Sequence, residues 1–134
     1  MVYLTRKEYF SASHRLFNPK FSYEENLEIY GKCAYPNGHG HNYEIVVTVA
    51  GEPDKETGMI IDLKKLSDVM KKELIDKVDH KHLNCDVDFL KDIIPTAENL
   101  AMVFWEILSP RISTGRLYSL RVYETMNNYA EYRG

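Results

Sequence analysis

The sequence predicts an α+β fold in the order ββααββ, an antiparallel sheet carrying a pair of helices. Three observations predict it. Runs in which apolar and polar residues alternate occupy both ends of the chain, two stretches of helical spacing lie between them, and turn-forming residues separate the elements. No repeat, low-complexity tract or linker interrupts the 134 residues, so residues 1–134 are expected to form a single domain with a small hydrophobic core.

Residues 2–14 alternate well enough for a strand, and residues 15–40 read as a long loop with one helical turn around Glu24 to Ile29. A loop of that length is often functional. In the second strand, residues 41–51, the odd positions Tyr43, Ile45, Val47 and Val49 are apolar, while Asn42, Glu44 and Thr48 fall on the other parity. A turn at Pro53 to Gly58 follows, Met59 to Asp62 resumes extended structure, and these runs pair with the first strand as a hairpin. From Leu63, the residues Leu66, Val69, Met70, Leu74 and Val78 have helical spacing, and Lys64, Lys65, Lys71, Lys72 and Glu73 lie on other, solvated faces. A second helix begins near Thr96, a good N-cap after Pro95, and runs to about Leu108 on a stripe of Leu100, Val103, Phe104, Ile107 and Leu108. Its capping box is incomplete, because Asn99 rather than Glu holds the reciprocal position. Strands at about 117–125 and 128–133 close the chain around Met126-Asn127-Asn128.

Composition narrows the function. Hydrophobic content of 44% and charged content of 28% are ordinary for a globular protein, and no apolar run is long enough to span a membrane. The first residues lack the basic-then-apolar pattern of a signal peptide, so a cytoplasmic location is expected. Two cysteines, Cys33 and Cys85, make no disulfide framework and suit a reducing compartment. A net charge of −3 argues against nucleic acid as a partner, and any phosphate group would have to be met by a local cluster of cations.

The segment Cys-Ala-Tyr-Pro-Asn-Gly-His-Gly-His, Cys33 to His41, concentrates the chemistry. In an extended segment, residues two apart share a face, so His39 and His41 can reach one ion. They are in line with the buried parity of the second strand, where unpartnered imidazoles would be costly to desolvate. His14 follows Phe10 and Ala12 in the same parity and is the best third ligand, completing a three-histidine site with an open fourth position, the arrangement of catalytic zinc. In the third strand the parity of Tyr118, Leu120 and Val122 continues to Glu124, which places a carboxylate on the buried face. Such a group either turns to water at the strand end or accepts paired N–H donors from a planar heterocycle. Asp79-His80 ends the first long helix; alone it is a weak signal, since a histidine there often just answers the helix dipole. Beside a thiol, the aspartate would orient the imidazole while the imidazole exchanges a proton with Cys33.

Phe-Ser-Ala-Ser-His-Arg, Gly-Lys-Cys with Pro-Asn-Gly-His-Gly-His-Asn-Tyr, Thr-Gly-Met, Asp-His-Lys-His-Leu-Asn, Pro-Thr-Ala-Glu-Asn and Val-Tyr-Glu-Thr together resemble the 6-pyruvoyl-tetrahydropterin synthase family over nearly the whole chain. The resemblance implies the tunnelling fold: a four-stranded antiparallel sheet with two helices on one face, three subunits closing a barrel, and two trimers stacking into a homohexamer with active sites between subunits. It assigns His14, His39 and His41 to Zn2+, Cys33, Asp79 and His80 to proton transfer, and Glu124 to the pterin, with Thr96 and Glu98 near it. The implied substrate is 7,8-dihydroneopterin triphosphate, which loses triphosphate to give 6-pyruvoyl-tetrahydropterin without a redox cofactor. The phosphate ligands stay unassigned, although Arg15, Lys20 and Lys32 lie in the right loop. Ala97 stands where animal members tend to carry a second threonine, a departure that bears on one polar contact to the pterin. The nearest alternative is 6-carboxy-tetrahydropterin synthase, which usually has three residues between the cysteine and His-Gly-His, where this chain has five between Cys33 and His39. A further alternative is a non-catalytic zinc-stabilised binding protein with Cys33 as fourth ligand in a closed site.

Overall fold

In the computed structural model, which describes all of residues 1–134, β1 (Val2–His14) and β2 (His39–Gly51) pair antiparallel over their whole length, from Val2 opposite Gly51 to His14 opposite His39. This register is enforced by burial. Phe10, Ala12 and His14 of β1 and Tyr43, Ile45, Val47 and Val49 of β2 all face the core, and a slip of one residue would turn every one of them outward. Phe10 stacks on Tyr43 with ring centroids 4.7 Å apart and planes at 6°, which ties the two strands together just below the histidines.

The loop between β1 and β2 holds more structure than one turn. An eight-residue helix, α1 (Tyr23–Tyr30), is followed by a 3-10 turn at Gly31–Ala34. The helix starts at a complete capping box: Ser22 accepts from the Glu25 backbone N–H, and the Glu25 carboxylate reaches back to the Ser22 N–H. Its apolar pattern is weak because only Asn26 is buried among its residues, so periodicity gave no signal where the cap did.

Met59 to Asp62 is not a strand. Ile60 and Ile61 are buried, which accounts for the apolar run, but the Asp54 N–H to Met59 carbonyl bond makes the segment part of a turn. Asp62 then caps α2 (Leu63–Met70), its carboxylate accepting from the Lys64 N–H. The helix continues through a π-helical turn, Lys71–Ile75, into α3 (Asp76–Val78). Leu66, Met70, Leu74 and Val78 are fully buried at steps of four, a spacing that drifts off one face of a 3.6-residue helix; the wider turn returns Leu74 and Val78 to the core. Thr96 caps α4 (Ala97–Leu108) as expected, and β4 (Arg116–Thr125) and β5 (Asn128–Tyr132) close the chain.

The sheet has five strands, not four, in the order β3-β1-β2-β4-β5. The extra strand β3 (Lys81–His82) is only two residues long and runs parallel to β1, with Ala12 opposite Lys81 and Ser13 opposite His82. So short a strand carries no period-2 pattern to read. The long helices cover one face of the sheet around a continuous core that includes Leu66, Met70, Phe104 and Leu120; the other face exposes Tyr3 and Tyr9. No helix is long and apolar enough to cross a membrane.

Candidate metal centre and active site

The histidines meet because of the β1–β2 register. His14 lies opposite His39, Ala12 lies opposite His41, and all three imidazoles share the core-facing side at the loop end of the hairpin. Their ring centroids are 4.8, 5.0 and 4.7 Å apart, with planes 74°, 86° and 90° to one another, so three ring edges converge on one point. The Nε2 atoms of His14 and His39 are 3.2 Å apart. Glu124, next on the core parity of β4 after Leu120 and Val122, brings Oε1 to 3.0 Å from His41 Nε2 and 3.8 Å from His14 Nε2. One ligand atom from each of the four residues lies within 4.8 Å of every other, and the group could hold a metal ion.

The tautomer of His14 follows from its surroundings. Its side chain is wholly buried, and Nδ1 sits 2.8 Å from the Pro95 carbonyl and 3.1 Å from the Tyr43 hydroxyl. A carbonyl only accepts, so Nδ1 carries the hydrogen and the Nε2 lone pair points at the cluster, the arrangement a ligating imidazole needs. Burial pushes the His14 pKa down to about 4, which keeps the ring neutral near pH 7. His41 is also lowered, again chiefly by burial. Its Nε2 is buried and makes no hydrogen bond, with Glu124 Oε1 3.0 Å away. A buried nitrogen left unpaired beside two other imidazoles and a carboxylate fits an ion as its missing partner.

Asp79 and His80 form a separate unit at the sheet edge. The Asp79 carboxylate accepts from the Ser11 N–H at 2.9 Å, and His80 donates its backbone N–H to the Ser11 carbonyl at 2.6 Å. The Ser11 hydrogen bond holds the Asp79 carboxyl below the usual carboxylate range. His80 Nδ1 lies 3.0 Å from Asp79 Oδ1, leaving the other ring nitrogen outward on a side chain 82% exposed. His80 adopts φ 59°, a left-handed conformation that costs a histidine of order 1 kcal/mol or more and is held here by the Ser11 bonds.

Cys33 belongs to neither unit. It sits half-buried in the 3-10 turn, and no hydrogen bond joins its thiol to His80. That turn is nonetheless strapped to the chain just past His14: the Leu16 N–H donates to the Cys33 carbonyl and Arg15 Nε to the Ala34 carbonyl, both at 2.8 Å. Cys33 is also outside the group of residues that could hold a metal ion, in which Glu124 stands beside the three histidines. The Thr96 hydroxyl accepts from the Asn99 N–H as a helix cap, and Glu98 is exposed and makes no hydrogen bond or ion pair. Sequence reasoning missed the Pro95 carbonyl and the Tyr43 hydroxyl that fix His14. Tyr43 carried a signal, as a polar-tipped aromatic on the parity of His39 and His41, whereas a backbone carbonyl carries none.

A sheet-borne cluster of three imidazoles and a carboxylate that could hold a metal ion, with an oriented Asp–His pair at the sheet edge, marks an α+β protein with a candidate metal centre. Residues 3–134 match the family described as 6-pyruvoyl tetrahydropterin synthase. The chain is 47% identical over 131 residues to 6-pyruvoyl tetrahydrobiopterin synthase of Homo sapiens, covering 98% of this chain and 90% of that one. It is 45% identical over 133 residues to the Dictyostelium discoideum protein of the same name, with 99% and 96% covered. Among solved structures, the 6-pyruvoyl tetrahydropterin synthase of Caenorhabditis elegans superposes with a TM-score of 0.93 at 42% identity, covering 99% of this chain and 95% of that one. The chain belongs to the 6-pyruvoyl tetrahydropterin synthase family.

Proposed function

We propose that the protein is a zinc-dependent lyase that converts 7,8-dihydroneopterin triphosphate to 6-pyruvoyl-tetrahydropterin with elimination of triphosphate. The observation that carries this reading is the convergence of His14, His39 and His41 on one point, with His41 Nε2 buried and unpaired, in a chain of this family. Three imidazoles and a carboxylate suit zinc, which would supply Lewis acidity toward the hydroxyls of the substrate side chain and so acidify the neighbouring C–H bonds.

The protein groups divide the remaining work. Glu124 accepts the paired N–H donors of the pterin ring and fixes its orientation, with Thr96 and Glu98 at the same end. Cys33, as thiolate, removes a carbon-bound proton from the side chain, and the ring takes up the electron pair by tautomerising. His80, oriented through Nδ1 by Asp79, exchanges the thiol proton through its outward nitrogen. A second deprotonation, at the side-chain carbon next to the one that bears the ester, expels triphosphate, and ketonisation of the resulting enol leaves the sequence redox-neutral overall.

Cys33 and the Asp79–His80 pair are held on different parts of one chain, which supports active sites built between subunits. The helix-free face of the sheet, with Tyr3 and Tyr9 exposed, and its two short edge strands support closure of three copies into a barrel and stacking of two trimers into a homohexamer. We place the enzyme in the cytoplasm, acting as one domain over residues 1–134. The five-residue spacing between Cys33 and His39 favours this reaction over side-chain cleavage to a 6-carboxy product. Mass spectrometry of the products formed from dihydroneopterin triphosphate tests the assignment: 6-pyruvoyl-tetrahydropterin and triphosphate are expected, and a 6-carboxy product with release of acetaldehyde would overturn it.

A further inference from the structure

We infer that Asn99 is a positioning residue for the metal ligand His14, acting through the Pro95 carbonyl, an inference that rests on the reading of the histidine cluster as a zinc site. The motif Pro-Thr-Ala-Glu-Asn ends on this residue, and its side chain does something that a regular capping box does not. In such a box the side chain at the third helical position accepts from the N-cap backbone N–H, as Glu25 does for Ser22. Asn99 holds the same position in α4 and donates instead. Its amide Nδ2 gives a hydrogen bond of 2.9 Å to the Ile94 carbonyl, two residues before the cap.

The Thr96 N–H is already committed. It donates to the same Ile94 carbonyl at 2.8 Å, which closes a three-residue turn with Pro95 at its centre. Proline suits that place, because its φ is locked close to the value such a turn needs and no N–H is asked of it. No peptide bond in the chain is cis, and across a trans peptide the Pro95 carbonyl points opposite to the Thr96 N–H. Tying that N–H back to Ile94 therefore turns the Pro95 carbonyl the other way, where it meets His14 Nδ1 at 2.8 Å. Asn99 grips the turn at both ends, through Nδ2 at Ile94 and through its own N–H, which donates to the Thr96 hydroxyl at 3.2 Å.

This grip matters because two groups compete for His14 Nδ1 and favour opposite tautomers. The Pro95 carbonyl only accepts, so it keeps the hydrogen on Nδ1 and leaves Nε2 free to ligate. The Tyr43 hydroxyl, 3.1 Å from the same nitrogen, can donate, and an Nδ1 that accepted from it would carry its hydrogen on Nε2 instead. A turn that let the carbonyl drift would hand Nδ1 to the tyrosine and block the metal. Asn99→Glu would loosen it in this way, since a carboxylate has no hydrogen for the Ile94 carbonyl and competes for the Thr96 N–H.

The test measures zinc affinity of the full-length protein by competition with a chromophoric chelator, together with the imidazole N–H signal of His14 by NMR. Asn99→Leu and Asn99→Glu are each expected to weaken zinc binding by about three- to tenfold, less than the roughly 10- to 100-fold that follows loss of a group bonded directly to a ligating histidine. Both should also lose the slowly exchanging Nδ1–H signal. Met102→Gly, which weakens the same helix at an exposed position, should change neither. Wild-type affinity with an intact His14 signal in both Asn99 variants, or an equal loss in Met102→Gly, overturns the proposal. If Asn99→Leu does not fold, Asn99→Glu, which suits a helix start, decides alone. Absence of zinc binding in wild type would remove the metal reading instead, and the His14 signal of the metal-free chain would then decide the role of Asn99 by the same comparison.

Discussion

The candidate metal cluster and the groups proposed for proton transfer are built in opposite ways. His14, His39, His41 and Glu124 stand on three neighbouring strands of one chain, at positions fixed by the hydrogen-bond ladders, and His14 is wholly buried. Cys33 is on a 3-10 turn, the Asp79–His80 pair is at an edge, and the His80 ring is 82% exposed. A ligand set needs fixed distances before an ion arrives, and strands in register supply them without help from a second chain. A thiol and an imidazole that exchange protons with a substrate need reach and access to solvent. That difference separates what one chain assembles alone from what assembly and substrate complete.

The largest expected effect tests the first half of the contrast. His14→Ala, His39→Ala and His41→Ala should each lower zinc content sharply in metal analysis, while Cys33→Ala leaves it nearly unchanged. Equal loss of zinc in Cys33→Ala would merge the two regions into one closed structural site. In the other direction, Cys33→Ala should reduce turnover by about 10² to 10⁴, the usual contribution of a general base, with pterin binding preserved, and His80→Ala should do the same to a lesser degree. Full activity in Cys33→Ser would be hard to reconcile with a thiolate.

Glu124 stands among the histidines and is also the proposed pterin anchor, which sharpens the comparison. Glu124→Gln keeps the shape but sets an amide N–H against a pterin donor; loss of a charge-assisted pair costs roughly 1.5–3 kcal/mol, so pterin affinity should fall at least about tenfold. Its Oε1, 3.0 Å from His41 Nε2, is also close enough to ligate the ion. Zinc content retained in Glu124→Gln makes the carboxylate a pterin anchor, and zinc lost with pterin affinity intact makes it a fourth metal ligand.

The smallest effect is in stability. In the metal-free protein His14 is neutral when folded, with its pKa pushed down to about 4, but takes a proton near its ordinary value of 6.5 once unfolded. Below 6.5 the unfolded state therefore binds more protons, so the stability present above that pH falls as the solution is acidified toward 4. Urea midpoints measured between pH 7 and 4 should decline, and His14→Gln should flatten that decline. An unchanged slope in the variant would mean that His14 is less buried than the strand pairing makes it.

Much of this was legible because strands write their geometry into alternate residues. The parity of Tyr43, Ile45, Val47 and Val49 led backward to His41 and His39, that of Phe10 and Ala12 led forward to His14, and that of Leu120 and Val122 led to Glu124. In α1 the helix buries only Asn26 and has no apolar stripe, so hydrophobic spacing shows no more of it than one turn. Steps of four from Leu66 to Val78 marked a helix without revealing its π turn. In β3 two residues are too few for any pattern.

The sequence by itself determined the residue types and the faces they occupy, because burial of alternate side chains fixes the parity of each strand, while the register that sets His14 opposite His39 came with the strand pairing. Only the tertiary structure decided that the Pro95 carbonyl, carried in from the start of α4, sets the tautomer of His14, that Ser11 anchors Asp79 and His80 to β1, and that Arg15 rests its guanidinium on Phe17. Those contacts join residues far apart in the chain or depend on backbone groups that every residue carries, and neither leaves a mark in the order of side chains.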